Sequence, residues 1–118
     1  MKITPEMLKA RGACESQYNL FVELFPDGVE VTEELCVKHA GDFNFGWASL
    51  NLLNSSQLGT YYEARAQLQK AYYEAAVPHR KAFSDGGASL WTAYAEIAQL
   101  WKTYEGANAR EFFRASQL

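Results

Sequence analysis

The residues with the widest chemical repertoire in this 118-residue chain are Cys14, Cys36, His39 and His79. Cys36-x-x-His39 sets a thiol and an imidazole one helical turn apart. That spacing suits a nucleophile with its base, or two metal ligands on one helix face. Cys14 or His79 would have to complete a metal set. Zinc sites usually bring cysteine pairs two to four residues apart, and this sequence holds no such pair. A reactive cysteine needs an electropositive setting, whereas Glu33 and Glu34 stand beside Cys36 and oppose thiolate formation. Cys14 and Cys36 are therefore expected to pack together in one small apolar layer, as free cysteines commonly do.

A second set of chemical candidates is Glu63, Glu74, Asp85 and Glu96, each eleven residues from the next. On a continuous helix that spacing is about 16 Å, too far for a paired general acid and base. A solvated stripe paired with Arg65, Lys70 or Lys81 is the expected arrangement. The sequence has no P-loop, no GxGxxG and no GxSxG motif. No catalytic residue, metal or cofactor is expected, and the chain is not expected to be an enzyme.

Contact chemistry has more to work with. Glu23, Asp27, Glu30, Glu33 and Glu34 fall in one short window. Two readings stand: a solvated face around a turn, or a docking patch for a basic partner surface. Aromatic residues crowd the second half. Adjacent pairs such as Tyr61-Tyr62 and Tyr72-Tyr73 diverge by about 100° around a helix, so one member of each pair must sit at the core's edge or outside it. Exposed Tyr and Trp are characteristic of interface hot spots. Tyr62, Tyr73, Trp91 and Trp101 are the candidate contact residues, against the alternative of a wide core stripe with tyrosines at its rim.

Composition narrows the partner classes. The formal net charge is −3, with 48% hydrophobic and 21% charged residues, as in an ordinary globular chain. Residues 1–59 carry four Lys/Arg against eight acids, and residues 60–118 carry seven against six. Neither half has the basic stripe that phosphate neutralisation leaves on nucleic-acid binders, so direct nucleic-acid binding is not expected. No run approaches the roughly 18 apolar residues of a membrane span, and Met1-Lys2-Ile3-Thr4-Pro5 contains no apolar signal segment. A cytoplasmic location without a structural disulfide is the expectation.

The elements that must position these residues are helical. Thr4-Pro5-Glu6 reads as a cap, a first helical position and a first-turn acid, with Gly12 closing the helix. A second helix is expected from about Ala13 to Phe25, with Cys14, Tyr18, Phe21, Leu24 and Phe25 on one apolar stripe. Pro26-Asp27-Gly28 is a turn. Val29-Glu30-Val31 is read as an extended linker. Thr32 caps a third helix, with Val31 and Cys36 as a hydrophobic staple and Gly41 at its end. Asp42 or Asn44 opens a fourth, which Asn54-Ser55-Ser56 interrupts.

From Tyr61 onward the sequence repeats in units of eleven: Tyr61–Ala71, Tyr72–Ala82, Phe83–Ala93 and Tyr94–Tyr104. Position one is always aromatic and position three always acidic. Eleven residues make almost three helical turns, so equivalent positions return to nearly one face with a drift of about 20°. The expectation is a helix from about Ser56 to Phe83, bent or broken near Pro78. Gly86-Gly87 weakens it again, a second helix follows from about Ala88 to Glu105, and a short terminal helix holds Phe112 and Phe113. The predicted fold class is all-α: a compact bundle of short helices over residues 1–55, then a long, Pro/Gly-interrupted helical hairpin over 56–118, together one domain.

Gly12-Ala13-Cys14, Gln17, Leu20-Phe21, Phe25-Pro26, Gly28, Val31-Thr32 and Cys36 carry a resemblance. Written as GACxxQxxLF followed by FPxGxxVT, the pattern resembles that of small uncharacterised phage and prophage proteins, which often continue into Ala- and Tyr-rich units of eleven residues. The resemblance implies a compact helical module in a bacterial host cell and carries no functional residue with it. Small accessory proteins of that setting often bind and block a host defence machine. The resulting expectation is a phage-associated protein-binding module acting on a host defence complex, in the manner of a CRISPR inhibitor. The alternative is a structural protein that self-assembles as a homo-oligomer through its aromatic repeat helices.

Overall fold

The computed structural model describes residues 1–87 and 89–118. The expected helix start at Ala88 lies outside the described residues. Within them, two short strands, β1 (Lys2–Ile3) and β2 (Val29–Glu30), accompany α1 (Pro5–Ala10), α2 (Glu15–Leu24), α3 (Glu33–Lys38), α4 (Phe45–Leu52), α5 (Ser55–Ser84) and α6 (Leu90–Ser116). The fold is all-α, with α5 and α6 as a long helical hairpin and the shorter elements gathered against one end of it.

Local chemistry sets most of the boundaries. Thr4 Oγ1 accepts from the Met7 amide at 3.3 Å, with Pro5 at the first helical position of α1. Gly12 follows in the left-handed region, and the Gly12 and Ala13 amides return to the Lys9 and Leu8 carbonyls. That pair of hydrogen bonds is a Schellman closure. Thr32 and Asn44 cap α3 and α4 through the Leu35 and Trp47 amides. Asn54 and Gln57 cap α5 reciprocally, each side chain on the other's backbone amide, at 2.8 and 3.0 Å. Gly86, at φ 79°, ends α5 with a second Schellman closure: its own amide reaches the Phe83 carbonyl and that of Gly87 the Ala82 carbonyl. The glycine pair therefore closes the helix rather than weakening it from within.

Several expectations are corrected. Val29-Glu30 is not a free linker. It pairs antiparallel with Lys2–Ile3, in the register Lys2 with Glu30 and Ile3 with Val29. Gly41 does not close α3, which stops at Lys38 with His39 as its cap. Helix α5 runs unbroken through Pro78. Proline removes the amide that the Glu74 carbonyl would accept from, but Glu74 and Pro78 are both exposed and water can satisfy that carbonyl. Packing holds the helix on either side, since Ala76 is fully buried and His79 Nδ1 meets the Glu96 carboxylate of α6. Helix α6 likewise continues past Glu105 to Ser116, so Phe112 and Phe113 belong to it and not to a separate helix. An interior glycine costs about 1 kcal/mol. Burial of Ala109, Phe112 and Ala115 beyond Gly106 outweighs it.

One buried cluster draws from both ends of the chain. Ile3, Leu8, Phe21, Val31 and Cys36 meet Tyr61, Ala109 and Phe112 of the hairpin. Val31 and Cys36 occupy the staple positions around Thr32, as their spacing predicted. Phe45 of α4 packs on Phe112 with ring centroids 5.5 Å apart, and Glu33 of α3 bonds Arg110 of α6 at 2.8 Å. Ser49, fully buried, donates to the Phe45 carbonyl, so its hydroxyl is satisfied. The molecule measures 52 × 30 × 24 Å. Its long dimension exceeds the roughly 40–45 Å length of helices of this size at 1.5 Å per residue.

Candidate functional site

The cysteines part company. Cys36 is buried on α3, and burial, with a smaller push from Glu33, raises its thiol to about 11. Cys14 is exposed, so the two do not share one buried layer. Helix α2 begins only at Glu15, which leaves Cys14 as its cap, outside the helical count that placed it on the stripe. A hydrogen bond with Ser16, and then backbone amides, lower its thiol below the ordinary value. Leu24, the last residue of α2, is also exposed, and Phe21 alone of the expected stripe is fully inside. His39 pairs with Asp42 at 2.9 Å. Among the described residues, no group of three or more His, Cys, Asp and Glu is placed to hold a metal ion.

The repeat acids are exposed, as a solvated stripe requires. Their partners are those expected only in part. Glu74 meets Lys70, at 4.0 Å, but Glu96 pairs with His79 across the hairpin. Arg65 instead donates to the Tyr104 hydroxyl. Asp85 caps the end of α5.

The acidic window is exposed at Glu23, Asp27, Glu30, Glu33 and Glu34, yet part of its charge is paired. Glu30 lies 3.0 Å from the Met1 amino group and Glu33 2.8 Å from Arg110 Nε. Glu23, Asp27 and Glu34 have no ion-pair partner among the described residues. Three carboxylates on α2, the following turn and α3 are a thinner patch than the five in the sequence suggested.

The aromatic residues assemble into something larger. Tyr61 is completely buried and its hydroxyl donates to Asn108 Oδ1 at 2.8 Å, while its neighbour Tyr62 is exposed. Tyr72 and Tyr73 divide the same way, Tyr72 half-buried and Tyr73 exposed. The Tyr72 ring then bridges the hairpin, 5.5 Å from Tyr73 on α5 and 5.4 Å from Trp101 on α6. Trp101 continues to Tyr104 at 5.1 Å. This contact fixes Tyr73 and Trp101 on one side of the hairpin.

Helical spacing extends that side toward the hairpin's tip. Val77 follows Tyr73 by four residues, Tyr94 precedes Trp101 by seven, and Leu90 precedes Tyr94 by four. Residues so spaced lie along one helix flank. All five are exposed large apolar side chains. Trp91, at 80% the most exposed, sits one position after Leu90 and is rotated off this row by about 100°. Of the four aromatic candidates named from the sequence, then, the structure places Tyr73 and Trp101 together on the open face. Tyr62 precedes Tyr73 by one repeat unit, at nearly the same helical phase, and Trp91 stands apart at the tip.

The near end of this face is flanked by the N-terminal elements and the far end is not. Phe43 and Phe45 approach Gln69, Tyr73, Trp101 and Glu105 around a cavity of about 340 Å³. Past that point Val77, Leu90 and Tyr94 stay open to solvent. Those three were missed in the sequence. The signal was their spacing from Tyr73 and Trp101, legible only once the two helices are known to lie side by side.

No described helix is long and apolar enough to cross a membrane. Compared with known proteins, the chain matches no family model, no curated protein and no solved structure.

Proposed function

We propose that this chain is a non-enzymatic protein-binding module that docks its partner through the open aromatic face of the α5–α6 hairpin. One observation carries the reading: Tyr73, Val77, Leu90, Tyr94 and Trp101 remain exposed, along the flank of the hairpin to which their helical spacing assigns them. Contiguous apolar patches on a surface mark interaction sites, and Tyr and Trp are the residues that most often dominate binding energy. The resemblance to small phage proteins sets the first class of partner to assay, a bacterial defence complex in the cytoplasm of the host.

The test is capture from host lysate with three immobilised forms of the protein. Wild type and Glu34→Ala should retain the same partner, and Leu90→Ala/Tyr94→Ala should lose it by about tenfold or more, as removal of hot-spot side chains does. Equal capture by the double variant, or no reproducible partner at all, rejects the reading.

Self-association is the second reading, favoured by the same face. A two-fold contact needs only one apolar patch placed against its own copy. Light scattering across a hundredfold dilution separates the two, because a monomer at every concentration removes self-association.

A further inference from the structure

The N-terminal elements, with Phe112 of α6, line a second concavity that opens to solvent and is separated from the hairpin face by the Phe43–Phe45 segment, which lines both. Its volume is about 550 Å³, with walls that include Leu8, Phe21, Phe25, Val31, Phe43 and Phe112. Close-packed interiors leave few voids larger than a water molecule, whereas small-molecule sites measure roughly 300–1,000 Å³. None of the residues lining it is Asp, Glu, Lys or Arg. A charged ligand would therefore lose its hydration and gain no counter-charge.

Polar groups at the rim narrow the ligand further. Both ends of the Gln17 amide are occupied: Nε2 donates to the Asp42 carbonyl at 2.8 Å and Oε1 accepts from the Asn44 amide at 3.0 Å. The Cys14 thiol and the Ser16 hydroxyl engage each other. His39 stands edge-on between Phe25 and Phe43, each ring centroid 5.9 Å away, with Nδ1 bonded to Asp42. A carboxylate only accepts, so Nδ1 carries the hydrogen in that bond. Nε2 is the ring nitrogen left over, and it has no partner among the described residues. His39 belongs to the lining, so its second ring nitrogen offers a point at which a hydroxyl on the bound molecule can be fixed.

We propose that this cavity binds one neutral, mainly apolar, ring-bearing molecule with a single hydroxyl, which donates to His39 Nε2. Calorimetric titration with 1-naphthol, naphthalene and 1-naphthoate tests it. One 1-naphthol should bind per chain, at least tenfold tighter than naphthalene, which lacks the donor, and tenfold tighter than the charged naphthoate. His39→Phe should bring 1-naphthol down to the affinity of naphthalene. Ala48→Phe, on the lining of the cavity, should fill it and abolish binding, with Ala13→Phe as the second filling variant if the first does not fold. The proposal is overturned if folded wild type shows no saturable 1-naphthol binding, or if naphthalene or naphthoate binds equally well. Binding that persists unchanged in a folded filling variant overturns it too.

Discussion

Tyr61 and Tyr94 hold the same position in the eleven-residue register, yet Tyr61 is 0% and Tyr94 67% exposed. Between them the intermediate units grade from half-buried Tyr72 to exposed Phe83. The periodicity assigned all four to nearly one helical phase, and the structure divides them by what lies across. Tyr61 faces Asn108 and the packed end of α6, beneath the N-terminal elements. Tyr94 is on the far half of α6, beyond the reach of that cluster. Phase is a property of the chain; burial belongs to the partner element. The near half of the hairpin therefore resembles a core built from two ends of the sequence, and the far half keeps its large apolar side chains open to solvent.

The largest effect should separate the two halves outright. Phe112, 1% exposed and packed on Phe45, should cost about 3–5 kcal/mol when cut to Ala. That is a large share of the roughly 5–15 kcal/mol a domain commonly has. Trp91→Ala at the tip should stay within about 0.5 kcal/mol. Thermal melts of the two variants check the contrast, and comparable losses would erase it.

An intermediate effect concerns the cysteines of the packed half. The Cys36 thiol rises to about 11 on folding, above its ordinary 9.0, so the unfolded chain ionises first. The stabilisation is complete below about pH 9 and is lost as pH climbs through 9 toward 11. Denaturant melts over that window should show stability falling with pH, and Cys36→Ala should flatten the fall. At neutral pH a thiol reagent should label exposed Cys14 in the native protein and reach Cys36 only on unfolding. Equal labelling of both would show that the packed half opens readily.

A smaller effect sharpens the hinge of the comparison. Tyr61→Phe removes the hydroxyl that bonds Asn108 and keeps the ring. The expected loss is about 1–2 kcal/mol, read as a lowered melting temperature. The same change at Tyr94 should be neutral, because no protein group depends on its hydroxyl among the described residues.

Much of the helical plan was legible in advance. Thr4, Thr32 and Asn44 are caps because their oxygens reach an amide three residues ahead, an interaction contained within one turn. The split of Tyr61 from Tyr62 follows from the angle between neighbours on a helix. Less legible were features whose causes lie far along the chain. Lys2 and Glu30 become strand partners although two helices separate them in the chain, and no local pattern in a two-residue strand announces that. Pro78 looked like a break, since the local penalty was visible and the packing of Ala76 and the His79–Glu96 pair was not. At the candidate site, Tyr73 and Trp101 could be named from composition and spacing. Val77, Leu90 and Tyr94 could not be joined to them without the pairing of two helices.

The order of residues alone determined the helical class, the caps at Thr4, Thr32 and Asn44, the closing Gly12 and the phase of the aromatic ladder, because each is settled by contacts within a few residues of chain. Tertiary structure decided which rungs are buried, which of five carboxylates keep their charge unpaired, and where the cavities open. Those outcomes depend on surfaces brought together from residues tens of positions apart, and the free energy of burying them is set by the fit between elements and not by any one of them.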